Sequence, residues 1–264
     1  MPFIADRAFG WSPTQISPAW GLRDLSAGMA YSVCKSMQCA DCGMLFLDMR
    51  FDDEEMAALY DDYRGEAYTA ARSRFEPGYA ARNALLLDGS GYNAQTEAFI
   101  EPYLNASPRV LDWGGDSGVN TPFRSRAAQH DIYDISSRPV VEGARAVDHD
   151  MAKANIYDLI VFSNVLEHVP YPREALREIV SVMRPETILY VEVPHEEAVR
   201  LIEDPTQRLE SKRHWHEHIN FFTPEALDAL LRDVGLRKIK RMSHPVTAGG
   251  KESHVFSIVA QRAP

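Results

Sequence analysis

From Val110 to Val193 the chain passes through five short, apolar stretches separated by glycine-rich or amphipathic segments. They are Val110-Leu111, Ile132-Tyr133, Ala146-Val147, Tyr157–Ser163 (YDLIVFS) and Thr187–Val193. A run without polar alternation fits a strand buried on both faces of a parallel sheet. Between the last two, Leu176, Ile179, Val180 and Met183 recur at helical spacing and predict a helix over Pro172–Met183. Thr223 as N-cap, Pro224 at the first helical position and Gly235 as terminator bracket a second helix, whose stripe is Leu227, Leu230, Leu231 and Val234. Leu236–Met242 and His254–Ala260 then read as two strands. Such alternation predicts an α/β fold with a Rossmann-like doubly wound sheet.

The N-terminal third has another texture. Residues 1–30 show no sustained period and read as irregular. Tyr31–Leu47 reads as two short strands around a cysteine knuckle, with Gly43 in the turn. Asp52-Asp53-Glu54-Glu55 suits the first turn of a helix, and further helix is expected to about Leu104, broken at Gly89-Ser90-Gly91. The expected division is a module at 1–50, a helical connector or lid at 51–104, and a sheet domain at 105–264.

With 264 residues, 45% hydrophobic and 25% charged, the chain has the composition of a globular protein. Its net charge of −10 argues against nucleic acid as a partner, because polyanion binding needs clustered Lys and Arg. Cys34, Cys39 and Cys42 are too few and too local for a disulfide scaffold. The N-terminus lacks a basic segment followed by an apolar run, and no apolar stretch approaches the ~20 residues a membrane span requires. A cytoplasmic protein without membrane insertion is expected; oligomeric state is left open.

Chemistry enters at Leu111-Asp112-Trp113-Gly114-Gly115-Asp116-Ser117-Gly118, a loop after the first strand. Glycines let backbone approach a ligand closely, and Thr121-Pro122 is expected to start a helix behind them. Asp134 follows Asp112 by 22 residues, at the end of the second strand. An acid about 20 residues beyond such a loop can accept the ribose hydroxyl protons of an adenosine.

The dinucleotide fingerprint G-x-G-x-x-G is absent, which counts against a nicotinamide-dependent sugar oxidoreductase or epimerase on a similar sheet. The loop instead resembles the hydrophobic-Asp/Glu-x-Gly-x-Gly-x-Gly segment of class I S-adenosyl-L-methionine (SAM)-dependent methyltransferases. Leu111, Asp112, Gly114 and Gly118 match, and Asp116 stands where the middle glycine is expected. Tyr157–Val169 (YDLIVFSNVLEHV) is similar to the fourth strand and following loop of that family. The resemblance implies a seven-stranded sheet with the last strand antiparallel, and SAM converted to S-adenosyl-L-homocysteine (SAH). It implies cofactor contacts from Asp112, Gly114, Asp116, Gly118, Asp134, Asp148, Asn164 and Val165. Asp116 would meet the cofactor's ammonium group, and Asn164 to His168 would face the reaction centre.

Arg213–Thr223 (RHWHEHINFFT) resembles a subgroup of these enzymes placed with modification of sugars, polysaccharides and secondary metabolites. Many members carry a module of two cysteine knuckles and a Leu-Tyr-x-x-x-Tyr helix. Cys39–Gly43 resembles the second knuckle and Leu59–Tyr63 the helix, while the first knuckle is missing. Three cysteines fall short of the four ligands of a structural zinc site, so the module is expected to lack zinc. His214, His216 and His218 alternate and could share one side of an extended segment, although no metal is expected. His168 is the expected general base or acceptor-orienting group, with His218 in reserve, since unperturbed His titrates near neutral pH. Tyr60, Tyr63 and Tyr68 are candidate lid residues over a small-molecule or sugar acceptor. A non-catalytic binding protein that kept the fold is the remaining alternative.

Overall fold

The structure, a computed structural model, describes residues 2–4, 14–20, 27–30, 33–48, 50–60, 63–73, 78–89, 93–136, 138–195, 203–204, 207, 218–248 and 251–264. His214, His216 and Glu217 lie outside them, as does the side chain of Cys34.

Four of the five apolar runs become the middle of a seven-stranded sheet, while Ala146-Val147 falls at its exposed edge. In chain order its strands are β6 (Arg109–Trp113), β7 (Gln129–Tyr133), β8 (Arg145–Ala146), β9 (Leu159–Ser163), β10 (Ile188–Pro194), β12 (Leu236–Ala248) and β13 (Lys251–Arg262). Their spatial order is β12-β13-β10-β9-β6-β7-β8. The strands from β8 to β10 are parallel, and β13 runs antiparallel to both β10 and β12. The order reverses between β6 and β9, and ligands of open α/β sheets bind beyond the strand ends at such a point.

Both faces of the sheet are covered. Leu111, Ile160, Leu189 and Ile258 pack with α6 (Pro172–Val182) and the helix Pro224–Asp233 on one side. Val110, Leu159, Val161 and Tyr190 pack on the other with Phe99 and Ile100 of α4 (Asn93–Ile100). This is why the central strands lack polar alternation. The Thr223 cap forms as expected, its hydroxyl accepting from the Ala226 N–H at 3.0 Å.

The expected helix at Thr121-Pro122 is absent; the chain passes through turns before β7. Phe123 takes a left-handed φ of +64°, buries its ring completely and donates its N–H to Glu97 Oε1. The Thr-Pro pair supplied a helix-start signal that this buried turn overrides.

The N-terminal segment is also less irregular than its sequence suggests. β1 (Pro2–Ile4) pairs with β4 (Val33–Gln38), which pairs with β5 (Leu45–Leu47), and β2 (Thr14–Ile16) pairs with β3 (Gly28–Ala30). Apart from β4 these strands have three residues each, too little sequence to show a period. β5 then pairs with β11 (Asn220–Phe221), two residues from the distal domain. Between β5 and β6 lie α1 (Asp53–Tyr60), α2 (Glu66–Ser73), α3 (Tyr79–Leu87) and α4. Asp52 and Glu55 cap α1 reciprocally: each side chain accepts the other's backbone N–H, at 2.8 and 3.0 Å. Among the described residues no helix is long and apolar enough to cross a membrane.

Candidate active site

At the strand-order reversal, the loop after β6 rests on its neighbours with no room for side chains. A Cβ on Gly114 would lie 2.5 Å from Val165 Cγ2, and one on Gly118 2.7 Å from Ile132 Cδ1. Both glycines have left-handed φ, +82° and +80°, which adds a second reason for their identity. Val165 is thus the side chain on which the loop sits.

Asp112 is buried beneath this loop, its carboxylate accepting from the Thr121 hydroxyl at 2.5 Å. Burial pushes its carboxyl up to about 7, while the Thr121 hydrogen bond pulls the other way. A Cβ on Gly115 would collide with this carboxylate at 2.5 Å. In this arrangement Asp112 braces the loop from below.

Asp134, at the end of β7, accepts the Asp116 N–H at one oxygen and the Ser136 N–H at the other, both at 2.8 Å. A carboxylate has about four lone-pair sites, so two acceptor positions remain for a diol. Ile135, directly after it, is 56% exposed and offers an apolar surface for a flat ring. Asp148 lies farther out, exposed, capping α5 (His149–Ala154) by accepting the Met151 N–H.

Asp116 has a left-handed φ of +54°. Its carboxylate receives Arg138 Nη1 at 2.8 and 2.9 Å, with Arg64 Nε 3.7 Å away. Burial raises its carboxyl and the two guanidiniums pull it back. Neither arginine was singled out from the sequence. Arg64 lies 52 residues upstream, and no local signal marks it.

The loop after β9 carries the second half of the site. Asn164, with φ +54°, donates its backbone N–H to the Glu192 carbonyl and its side-chain amide to Glu192 Oε1. Ser163, Tyr190 and Ser257 also donate to the buried Glu192 carboxylate. Glu192 thereby fixes the turn on which Val165 to His168 depend, another role the sequence did not reveal.

His168 and His218 come together from 50 residues apart, their rings perpendicular with centroids 4.6 Å apart. Glu167 is buried, with Oε1 3.8 Å from His168 Nε2. The two segments are tied by the Ile219 and Asn220 N–H groups, which donate to the Glu167 carbonyl, and by the Asn220 amide, which donates to the Leu166 and Val169 carbonyls. Ligand-type atoms of Glu167, His168 and His218 lie within 4.8 Å of one another, so these three could also hold a cation. Tyr60 approaches His168 edge-on at 6.4 Å, and Tyr60, Tyr63 and Tyr68 form a ladder with centroids 4.8 and 5.3 Å apart. The three candidate lid residues therefore pack against each other beside the histidines.

In the N-terminal module, Cys39 and Cys42 form a knuckle turn in which the Gly43 N–H donates to the Cys39 carbonyl. The Cys42 N–H, among other hydrogen bonds, pulls the Cys39 thiol down, whereas burial raises that of Cys42. The Thr223 hydroxyl donates to the Cys42 carbonyl, linking this knuckle to the helix that follows β11.

A seven-stranded sheet of this order, with a glycine loop and an acid at neighbouring strand ends, is the class I methyltransferase architecture. A family model described as a methyltransferase domain matches residues 88–241, more than half of the chain. The chain belongs to this family, and it is a SAM-dependent methyltransferase. It is similar to the structure of 1,6-didemethyltoxoflavin-N1-methyltransferase from Burkholderia thailandensis, which holds 1,6-didemethyltoxoflavin and SAH. The identity is 18%, with 87% of this chain and 100% of that one covered at a TM-score of 0.53. A SAM-dependent methyltransferase from Anabaena variabilis is similar at 14% identity, covering 69% and 92% of the two chains at a TM-score of 0.50. No protein of curated function matches the chain by sequence.

Proposed function

We propose that this methyltransferase acts on a small-molecule or sugar acceptor, in nucleotide-linked sugar, polysaccharide or secondary-metabolite biosynthesis, with His168 as general base. The carrying observation is the perpendicular His168–His218 pair beyond β9, backed by buried Glu167. When bound, SAM supplies a methyl group on a sulfonium whose thioether leaving group needs no proton. The protein's own work is then to hold both partners in line and to take a proton from a hydroxyl or carbon acceptor. His168 accepts that proton, Glu167 steadies the resulting cation, and His218 orients the acceptor from the facing segment.

The cofactor side is assigned to Asp112, Gly114, Asp116, Gly118, Asp134, Asp148, Asn164 and Val165. The free acceptor positions of Asp134 and the exposed Ile135 support a ribose and adenine there. Asp112 acts by holding the loop, and Asp148 by shaping the outer rim. The N-terminal module belongs, in this reading, to the cysteine-knuckle subgroup and holds its shape without zinc, through the pairing of β4, β5 and β11. Stoichiometric zinc in purified protein, lost on Cys39→Ser, would overturn that part.

The central test is steady-state turnover of His168→Ala and His218→Ala beside SAH affinity. For His168→Ala, turnover is expected to fall roughly 10²–10⁴-fold with SAH binding kept. Normal turnover in both variants sinks the proposal. Turnover that is lost to a chelator and restored by a divalent cation would instead make the three-residue group a metal site.

A further inference from the structure

Cys39 and Cys42 lie outside both halves of the site, in the turn that joins β4 to β5. The turn is closed by the Gly43 N–H, which donates to the Cys39 carbonyl at 3.0 Å, and by the Cys39 N–H, which donates to the Met44 carbonyl at 2.8 Å. Both thiols are free, and the Cys42 thiol donates to the Cys39 sulfur. We propose that Cys39 and Cys42 are a redox-active dithiol, which a low-molecular-weight disulfide converts reversibly to an intramolecular disulfide. The inference rests on the reading of the module as free of zinc.

The turn brings the reacting atoms together. Cysteines held apart cannot be bridged without backbone movement, and here the two sulfurs are already hydrogen-bonded. The thiols are also unlike. Backbone N–H groups of Cys42 and Asp41, with the Cys42 thiol, pull the Cys39 thiol down, against burial and the Asp41 carboxylate; burial pushes the Cys42 thiol up. The thiolate is the nucleophile of disulfide exchange, so Cys39 is the attacking sulfur and Cys42 the resolving one. Gln38, Ala40 and Asp41 around them are exposed, which opens Cys39 to a small disulfide.

The chemistry proceeds in two steps. The Cys39 thiolate attacks one sulfur of the small disulfide, whose S–S bond breaks; half of it leaves as thiolate and half stays as a mixed disulfide. Cys42 then loses its proton, attacks the Cys39 sulfur and expels the second half, which takes up that proton. The two cysteines give up two electrons, and the small disulfide is reduced by the same two. The bond forms where the core can feel it. Cys42 packs against the cluster that contains Phe222 and Leu227, and its carbonyl accepts the Thr223 hydroxyl.

The experiment uses the full chain as purified, with its zinc content measured first. It is equilibrated in mixtures of reduced and oxidised glutathione, quenched in acid and labelled with a maleimide, and the labelled cysteines are mapped by mass spectrometry. As the oxidised share rises, Cys39 and Cys42 are expected to lose their label together and to regain it with dithiothreitol. Cys42→Ser is expected to stop at a glutathione adduct on Cys39, and Cys39→Ser to leave Cys42 labelled. Zinc-free protein whose two cysteines keep their label at every ratio, or a disulfide that includes Cys34, overturns the dithiol. Stoichiometric zinc that shields both cysteines until a chelator removes it overturns the zinc-free reading, and the dithiol with it.

Discussion

The two halves of the site are built differently. Most of the half we assign to the cofactor is close in sequence: Asp112, the glycine loop, Asp134 and Asp148 come from one stretch of βα connections, joined by hydrogen bonds such as Thr121 to Asp112 and Asp116 to Asp134, and Asn164 and Val165 join them from the loop after β9. The half we assign to the acceptor collects Tyr60 from α1, His168 from the loop after β9, and His218 beside β11. It is braced by β5 from the N-terminal module, whose Leu47 N–H donates to the Ile219 carbonyl. A local site can survive changes elsewhere in the chain. An assembled one depends on every element that meets there, so disturbing the module should impair turnover while cofactor binding persists.

The sharpest attempt to break this contrast is Leu47→Ala. Leu47 is completely buried in β5. A cavity there is expected to cost about 2–5 kcal/mol in denaturant unfolding, and to lower turnover more than SAH affinity. If SAH affinity falls as far as turnover, the two halves are not independent.

Asp112 tests the cofactor half through pH. Its folded carboxyl titrates at about 7 instead of the usual 3.8, so between those values the native state binds a proton that the unfolded chain lacks. Stability from this group is therefore fully present at low pH, declines as pH rises from about 4 to 7, and levels off above. Asp112→Asn should remove this slope and gain on wild type by on the order of 2–4 kcal/mol between pH 4 and pH 8. Parallel urea curves at the two pH values check it; an unchanged difference refutes the buried neutral acid.

Asn220→Ala strips hydrogen bonds from the Leu166 and Val169 carbonyls, loosening the tie between the histidine segments. A loss of about 2 kcal/mol in stability is expected, with reduced turnover and near-normal SAH affinity. The smallest effect is expected for Thr223→Ala, which removes both the helix cap and the donor to Cys42, at about 1 kcal/mol. Melting temperature reports it directly.

The same contrast explains what could be read in the chain. The glycine loop, Asp134 and the strand-end histidine are local patterns, and they fall at adjoining strand ends as expected. Thr121-Pro122 misled, because the helix signal there yields to a buried Phe123 turn fixed by Glu97 from another helix. Arg64, Arg138 and Glu192 gave no signal, since a lone arginine or glutamate acquires its role only from what it meets.

The sequence alone determined the doubly wound sheet, through apolar strands that must bury both faces, and the sharp loop after β6, through glycines free to take left-handed φ. Only the tertiary structure decided that β5 pairs with β11 beside His218, that Tyr60 meets His168 and that Arg64 meets Asp116. Backbone pairing between β5 and β11 and the charge pair between Arg64 and Asp116 depend on distance in space, and sequence separation carries no record of it.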